Sequence, residues 1–415
     1  LTTVLANLFF FSALLPFLAP LPAPSDVQWP VFLIAILIVA RDVVRGRFIL
    51  NWVEYVFLAI GIWSLCFVLP GNPFNGRERI GILMAFLAYY VVRKHAPRFS
   101  VRVLMAAIAI TLVAAILQLG WPSVYAAVAP YFVRTVKDLS EGGRGASGPS
   151  AEPSFLAAMA LVHGLLVIYY YSIGRMSRRA FRLGAVMSVV SLLLSRSATG
   201  FMYVGVLAFI AAGYSAFRGM PARHWAALLI SIAVLFAIVI GPLAESRGGV
   251  ILVDLYQKPD EVLGDGSAQE RVRCLAIGIL SLPAHPLGAG GGAYPDVAVE
   301  MNNTYGLDRV FARARREALT GVLNATGMYL AELGIVFVFF LGVLLLGSLQ
   351  IEVFHLLFVT LALLFMSFSF SITLPMTWLL LGLTARRDML VKWLAPLHVQ
   401  PRPQPLPSGA VIARA

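Results

Sequence analysis

The sequence predicts an all-α, polytopic membrane protein, and three observations predict it. Of 415 residues, 60% are hydrophobic and only 13% charged, with a mean hydropathy of +0.84, whereas a soluble domain sits near half apolar. The apolar residues fall into successive runs that suit helices crossing a hydrocarbon core, which takes about 20 residues per crossing. The basic residues then collect on alternate connections between those runs. Inside lipid only helices and closed barrels satisfy every backbone group, and runs of this kind fit helices.

The apolar runs lie near residues 3–20, 30–41, 52–70, 79–92, 102–120, 153–173, 183–195, 200–216, 225–243, 324–348, 352–369 and 371–385. They predict about twelve spans in a single transmembrane helical domain over residues 1–400. The second, fourth, seventh and twelfth are short, which leaves room for a merged or re-entrant segment. The first follows the pattern of a span rather than a signal peptide, because small residues at 18–24 trail it but no basic segment precedes it. Residues 401–415, with the Pro-rich stretch Pro401 to Pro407, predict a disordered cytoplasmic tail.

Arg41, Arg45 and Arg47 follow the second run; Arg93, Lys94, Arg98 and Arg102 the fourth; Arg175, Arg178, Arg179 and Arg182 the sixth. Arg218 and Arg223 follow the eighth, and Arg386, Arg387 and Lys392 the twelfth. Basic residues in short loops resist translocation, so these connections and both termini are expected in the cytoplasm. The formal net charge of +12 is therefore an orientation signal. A nucleic-acid partner is excluded, since it needs basic residues gathered on one accessible face. Cys66 and Cys274 are too few for a disulfide framework and lack metal-ligand spacing.

Two connections on the opposite, external side are long, residues 121–152 and 244–323, and loops of that length usually carry function. In the larger, Ser267-Ala268-Gln269-Glu270 reads as a capping box opening a helix to about Leu282, where Pro283 stops it. Arg271, Leu275, Gly278 and Leu282 share its packed face, while Arg273 is expected to meet solvent or headgroups. A second helix is expected from Asp308 to Leu319, carrying Arg309, Arg313 and Arg316 as one basic stripe. That stripe is either a solvated face or a surface that draws an anionic substrate inward.

Charges beside apolar spans are the chemistry candidates, because at that depth a charge must be paired or face a wet cavity. The densest such stretch is Arg144 to Ser154, in which Pro153 suits a first helical turn and Glu152 a cap. Ser195 to Gly200 forms a short external turn holding Arg196, and Arg271 is the third basic candidate. Three arginines converging on one external cavity would suit a diphosphate, since each planar fork donates two charge-assisted hydrogen bonds without titrating. The plainer alternatives are that Arg196 snorkels to headgroups and that Glu152 only caps a helix. His163, within a span, is expected to hydrogen-bond inside the bundle. Gly288 to Ala293 imitates a dinucleotide fingerprint without a βαβ context and reads as a tight loop. No cofactor is expected, and no metal, because no external Asp/Asn pair would chelate one.

From about residue 120 to 345 the chain resembles the bacterial superfamily of O-antigen polymerases and O-antigen ligases. The resemblance is carried by Arg144, Gly148 and Glu152-Pro153-Ser154, by the Ser195 to Gly200 turn, and by Arg271 followed by His285-Pro286-Leu287-Gly288-Ala289-Gly290. Asn324 and Glu332-Leu333-Gly334 are similar to the end of the family's large loop, but Leu323 stands where many relatives, ligases especially, have histidine. The resemblance implies transfer of a glycan from an undecaprenyl-diphosphate carrier to an acceptor sugar at the outer face of the inner membrane. It implies Arg144, Arg196 and Arg271 as diphosphate ligands, Glu152 as base or base-orienter with His285 in reserve, and Asn324 as a further substrate contact. The missing histidine favours polymerase over a ligase acting on lipid A-core or protein. A chain-length regulator and a flippase of the same pathway are the implied partners, besides membrane lipid. A lipid-linked oligosaccharide flippase is the alternative of another class, and it should line a central path with its charges.

Overall fold

The computed structural model describes residues 1–18, 28–66, 76–133, 145–150, 152–217, 266–311, 324–348, 352–368 and 373–385. Among them the chain is all-helical, without a strand. The first nine helices are α1 (Thr2–Leu14), α2 (Trp29–Val44), α3 (Trp52–Cys66), α4 (Gly76–His95), α5 (Val101–Gly120), α6 (Pro122–Val128), α7 (Pro153–Ser172), α8 (Arg178–Ser195) and α9 (Ala198–Phe217). They are followed by α10 (Gly266–Ser281), α11 (Tyr294–Tyr305), α12 (Leu307–Val310), α13 (Ala325–Leu333), α14 (Ile335–Ser348), α15 (Val353–Phe368) and α16 (Pro375–Thr384). The starts follow local chemistry: proline stands in the first turn of α2, α6, α7, α11 and α16, where its missing N–H costs nothing. Ser100 and Ser177 cap α5 and α8 by accepting from the Arg102 and Ala180 amides.

Three described helices, α5, α7 and α9, are long and apolar enough to cross a membrane, and α1, α3, α14, α15 and α16 are shorter apolar helices. Their outward faces are apolar too. On α5, Leu104, Ala107, Ile108 and Ala115 are buried while Ile110, Val113, Ile116 and Leu119 are exposed, the pattern of a helix whose solvent is lipid. The chain is thus a helical membrane protein. The expected run at 225–243 lies outside the described residues.

Contacts show the helices alternating between two ends. At one end Asn7 of α1 accepts from the Ser100 amide and donates to the Arg98 carbonyl, and Arg175, just after α7, donates to the Pro97 and Phe99 carbonyls. At the other end Phe17 packs on Phe155 at the start of α7, and the 145–150 segment lies against the end of α8. Between them Phe57, Phe86, Phe340 and Trp378 cluster where α3, α4, α14 and α16 meet.

The first end carries a dense charge network. Glu54 is fully buried and takes two bonds from Arg93, through Nε and through Nη2 at 2.7 Å. Glu54 and Asn51 also form a reciprocal capping box at the start of α3, with bonds of 2.9 and 2.8 Å. Asp42 meets His95 at 3.0 Å, Lys94 at 3.2 Å and the Tyr90 hydroxyl at 3.2 Å.

At the second end α10, α11 and α13 form a cap over the helices. α10 and α13 cross backbone to backbone, for a Cβ at Gly278 would overlap the Gly327 carbonyl and one at Gly327 the Cys274 carbonyl. One expectation is corrected here. The run 324–348 is not one helix: it breaks at Gly334, whose φ of +58° is left-handed and takes the Ile335 amide to the Pro286 carbonyl, 2.9 Å. Of the helix expected over 308–319, the described part is α12, with Phe311 outside helical geometry, and residues 312–319 lie outside the described residues. α11 was not anticipated from the sequence.

Candidate functional site

The site is built at the end of the molecule where α8 passes into α9. Arg196 caps α8 in a left-handed conformation, with φ +46°, the one non-glycine residue with positive φ among those described. For a side chain this costs about 1–2 kcal/mol, and such strain clusters where surrounding structure over-determines it. The surroundings here are hydroxyls: Ser195 Oγ donates to the Leu192 carbonyl at 2.6 Å and accepts from the Ser197 amide, while Ser197 Oγ accepts from the Gly200 amide to start α9. Gly200 lies so close to Ala157 of α7 that a Cβ would collide. Arg196 itself is exposed, and no carboxylate among the described residues pairs with it.

The 145–150 segment is laid directly against this turn. The Ala146 amide donates to the Leu194 carbonyl at 2.8 Å, and a Cβ at Gly145 would overlap the Ser195 carbonyl, so only glycine permits the approach. Gln118 Oε1 accepts from the Ser147 and Gly148 amides, both at 2.8 Å, and the Tyr125 hydroxyl donates to the Gly148 carbonyl. Burial pushes the Tyr125 phenol above its ordinary value, against a weaker opposing pull from Ser147; the hydroxyl stays a donor. Ser150 Oγ donates to the Ser147 and Glu152 carbonyls. Glu152 stands at the N-cap of α7, half-buried, without a side-chain bond to the α7 amides. Arg144, expected beside it, lies outside the described residues.

Arg271 reaches the same region from α10. It is half-buried, its Nε is sealed from solvent without a hydrogen-bond partner, and it lies within electrostatic reach of Tyr203 in the second turn of α9. Of the expected residues, Arg196 thus stands just before the first turn of α9, and Arg271 acts electrostatically on Tyr203 in its second. A guanidinium with a sealed, unpartnered N–H is suited to an oxyanion, and so is one without a counter-charge.

The remaining candidates fall elsewhere. Arg273, expected at solvent or headgroups, is instead 3% exposed and donates through Nη2 to Asn302 at 2.9 Å and Asp308 at 2.5 Å. The helical-face argument failed because α10 is covered on two sides, by α13 and by α11. Asn324 is the buried N-cap of α13: its Oδ1 accepts from the Gly327 amide and its Nδ2 donates to the Arg271 carbonyl at 3.4 Å. His285 pairs with Glu300 at 2.9 Å near the surface. Arg309 is exposed on four-residue α12, while Arg313, Arg316 and Leu323 lie outside the described residues. His163 is buried and hydrogen-bonds the Leu14 carbonyl.

The glycine-rich run is a loop wrapped on the end of α13: the Ala289 and Gly290 amides donate to the Ala331 and Glu332 carbonyls, and the Gly292 amide to the Glu332 carboxylate at 2.9 Å. Tyr294 follows it, its phenol pushed up by burial and further by Cys274 beside it. No group of three or more His, Cys, Asp or Glu side chains among the described residues could hold a metal ion. Residues the sequence did not flag include Gln118 and Tyr125. Gln118 carried a signal, a polar side chain in the last turn of an apolar run; Tyr125 carried none.

The described residues define a helical membrane protein. Comparison of the chain with family models, with curated proteins and with solved structures finds no match.

Proposed function

We propose that this chain is a polymerase of a cell-surface polysaccharide, of the O-antigen or exopolysaccharide kind. It works in the bacterial inner membrane with about twelve spans and both termini in the cytoplasm, and its Arg196 end faces outward. What supports the reading is Arg196, in a left-handed turn against the 145–150 segment, together with Arg271, whose Nε is buried without a partner. Both suit a diphosphate.

In this reading the arginines hold the diphosphate of an undecaprenyl-linked glycan. As the acceptor hydroxyl oxygen bonds to the anomeric carbon, its proton passes to Glu152 and the bond from that carbon to the diphosphate oxygen breaks. The electron pair leaves with the diphosphate, where Arg144, Arg196 and Arg271 stabilise the developing charge. His285 is the reserve base. Asn324 supports the site through its hydrogen bond to the Arg271 carbonyl.

Alanine at Arg144, Arg196 or Arg271 is expected to abolish polymer in cells while membrane abundance stays near that of the parent, and lysine to restore only part of it. Full activity in any two of the alanine variants overturns the assignment. In a deletion strain, a surface glycan reduced to one repeat marks a polymerase, whereas loss of all attached glycan marks a ligase. Reporter fusions after residues 97 and 178 should report the cytoplasm and one after 300 the outside; a cytoplasmic signal at 300 removes the donor from the site.

A further inference from the structure

The segment that anchors Gly148 has a face of its own. Residues 121–133 contain no charged residue. Tyr125, Ala129 and Val133 turn inward and pack with Ala114 and Leu117 of α5. Trp121, Val124 and Val128 are exposed along a second face of α6, continued by Tyr131 and Phe132, which are 71% and 55% exposed. Helical spacing sets Ser123 and Ala127 on a third face, opposite the buried one.

The partner of the second face follows from where it begins. Ile110, Val113, Ile116 and Leu119 form the exposed stripe of α5, and that stripe runs without interruption into Trp121. A helix of this length that is apolar on its outer side faces hydrocarbon, and Trp and Tyr gather where hydrocarbon meets headgroups. We propose that residues 121–133 are an in-plane anchor embedded in the membrane interface, with Val124, Val128 and Phe132 towards hydrocarbon and Ser123 towards headgroups. The anchor sets the depth of the site. Tyr125 and Gln118 bind the Gly148 and Ser147 backbone, and that segment abuts the Arg196 turn. None of this depends on which reaction the arginines perform.

The test uses the full chain in phosphatidylethanolamine and phosphatidylglycerol vesicles. Cys66 is exposed and is replaced by Ser, while Cys274 is buried and is retained. Ser123→Cys, Val124→Cys, Val128→Cys and Phe132→Cys are spin-labelled one at a time, and collision rates are measured with oxygen and with a water-soluble nickel chelate. Labels at 124, 128 and 132 should meet oxygen severalfold more than nickel, and the label at 123 the reverse. If labels at 128 and 132 meet mainly nickel, the face is aqueous and the proposal fails. If they are shielded from both reagents, protein covers the face, whether a second copy or another part of this chain, and the proposal fails equally.

Discussion

The two ends of the bundle handle charge in opposite ways. At the Asp42 end the buried carboxylates are saturated: Glu54 has Arg93 and Asn51, and Asp42 has His95, Lys94 and Tyr90. At the Arg196 end the polar effort goes to backbone: Gln118, Tyr125, Ser150, Ser195 and Ser197 all hold main-chain groups. Arg271 keeps a buried Nε without a partner there, as Arg41 keeps a buried Nη1 at the first end. A buried pair is costly to break on one side only, so the first end is built for stability. At the second end the polar side chains instead fix the backbone around the Arg196 turn.

The largest effect expected from breaking this contrast is at Arg93. Arg93→Ala leaves Glu54 buried without its countercharge and should destabilise the protein by about 3–5 kcal/mol, read as a large fall in the thermal midpoint in detergent. A midpoint equal to the parent's would mean that the network is not structural. Next comes Gly327→Ala, whose Cβ would meet the Cys274 backbone; overpacking of this kind costs about 1–3 kcal/mol, and the same thermal scan, with polymer formation, measures it.

Arg196→Gly reverses the sign. Glycine accepts φ +46° freely, so the midpoint should hold or rise, by about 1 kcal/mol at most, while polymer formation is lost. A variant that is stabilised and still active would separate the turn from the site. The smallest effect is expected for Glu300→Gln, since the His285 pair is half-exposed and such pairs contribute roughly 0–1 kcal/mol. Stability and polymer yield should both stay near the parent, and a fall in yield alone would draw His285 into the chemistry.

What the sequence made legible follows from how local each signal is. The starts of α7 and α9 are set by Pro153 and Ser197, residues adjacent to the turns they make, and both can be read directly. The break at Gly334 cannot, because the apolar run passes through it unaltered and the Ile335 amide is claimed by Pro286, far away in sequence. Arg273 misled because helical spacing tells which residues share a face, not how many faces are covered. α11 is a different case: Tyr294, Val297, Ala298 and Met301 are buried at helical spacing around Pro295, a local signal that the sequence does carry. Of the arginine site, the Arg196 turn was legible as a short polar interruption. The supports from Gln118 and Tyr125 were not, since they act on a backbone group 30 and 23 residues away.

The glycine crossing of α10 and α13 bears on how such a chain can diversify. Cys274 and Asn324 touch at its base although they stand 50 positions apart, so the intervening chain leaves and returns at one place. The crossing itself requires only two residues without side chains, Gly278 and Gly327. Closing a longer loop on the same base costs little, since each doubling of length adds only about 0.6 kcal/mol. Even so, the stretch between is not freely exchangeable, because Gly278 lies in it, Ala289, Gly290 and Gly292 are bonded to α13, and Tyr294, Val297 and Met301 are buried. Added length is accommodated where it leaves these contacts intact, and Arg271, one turn before Cys274 on α10, then keeps its place.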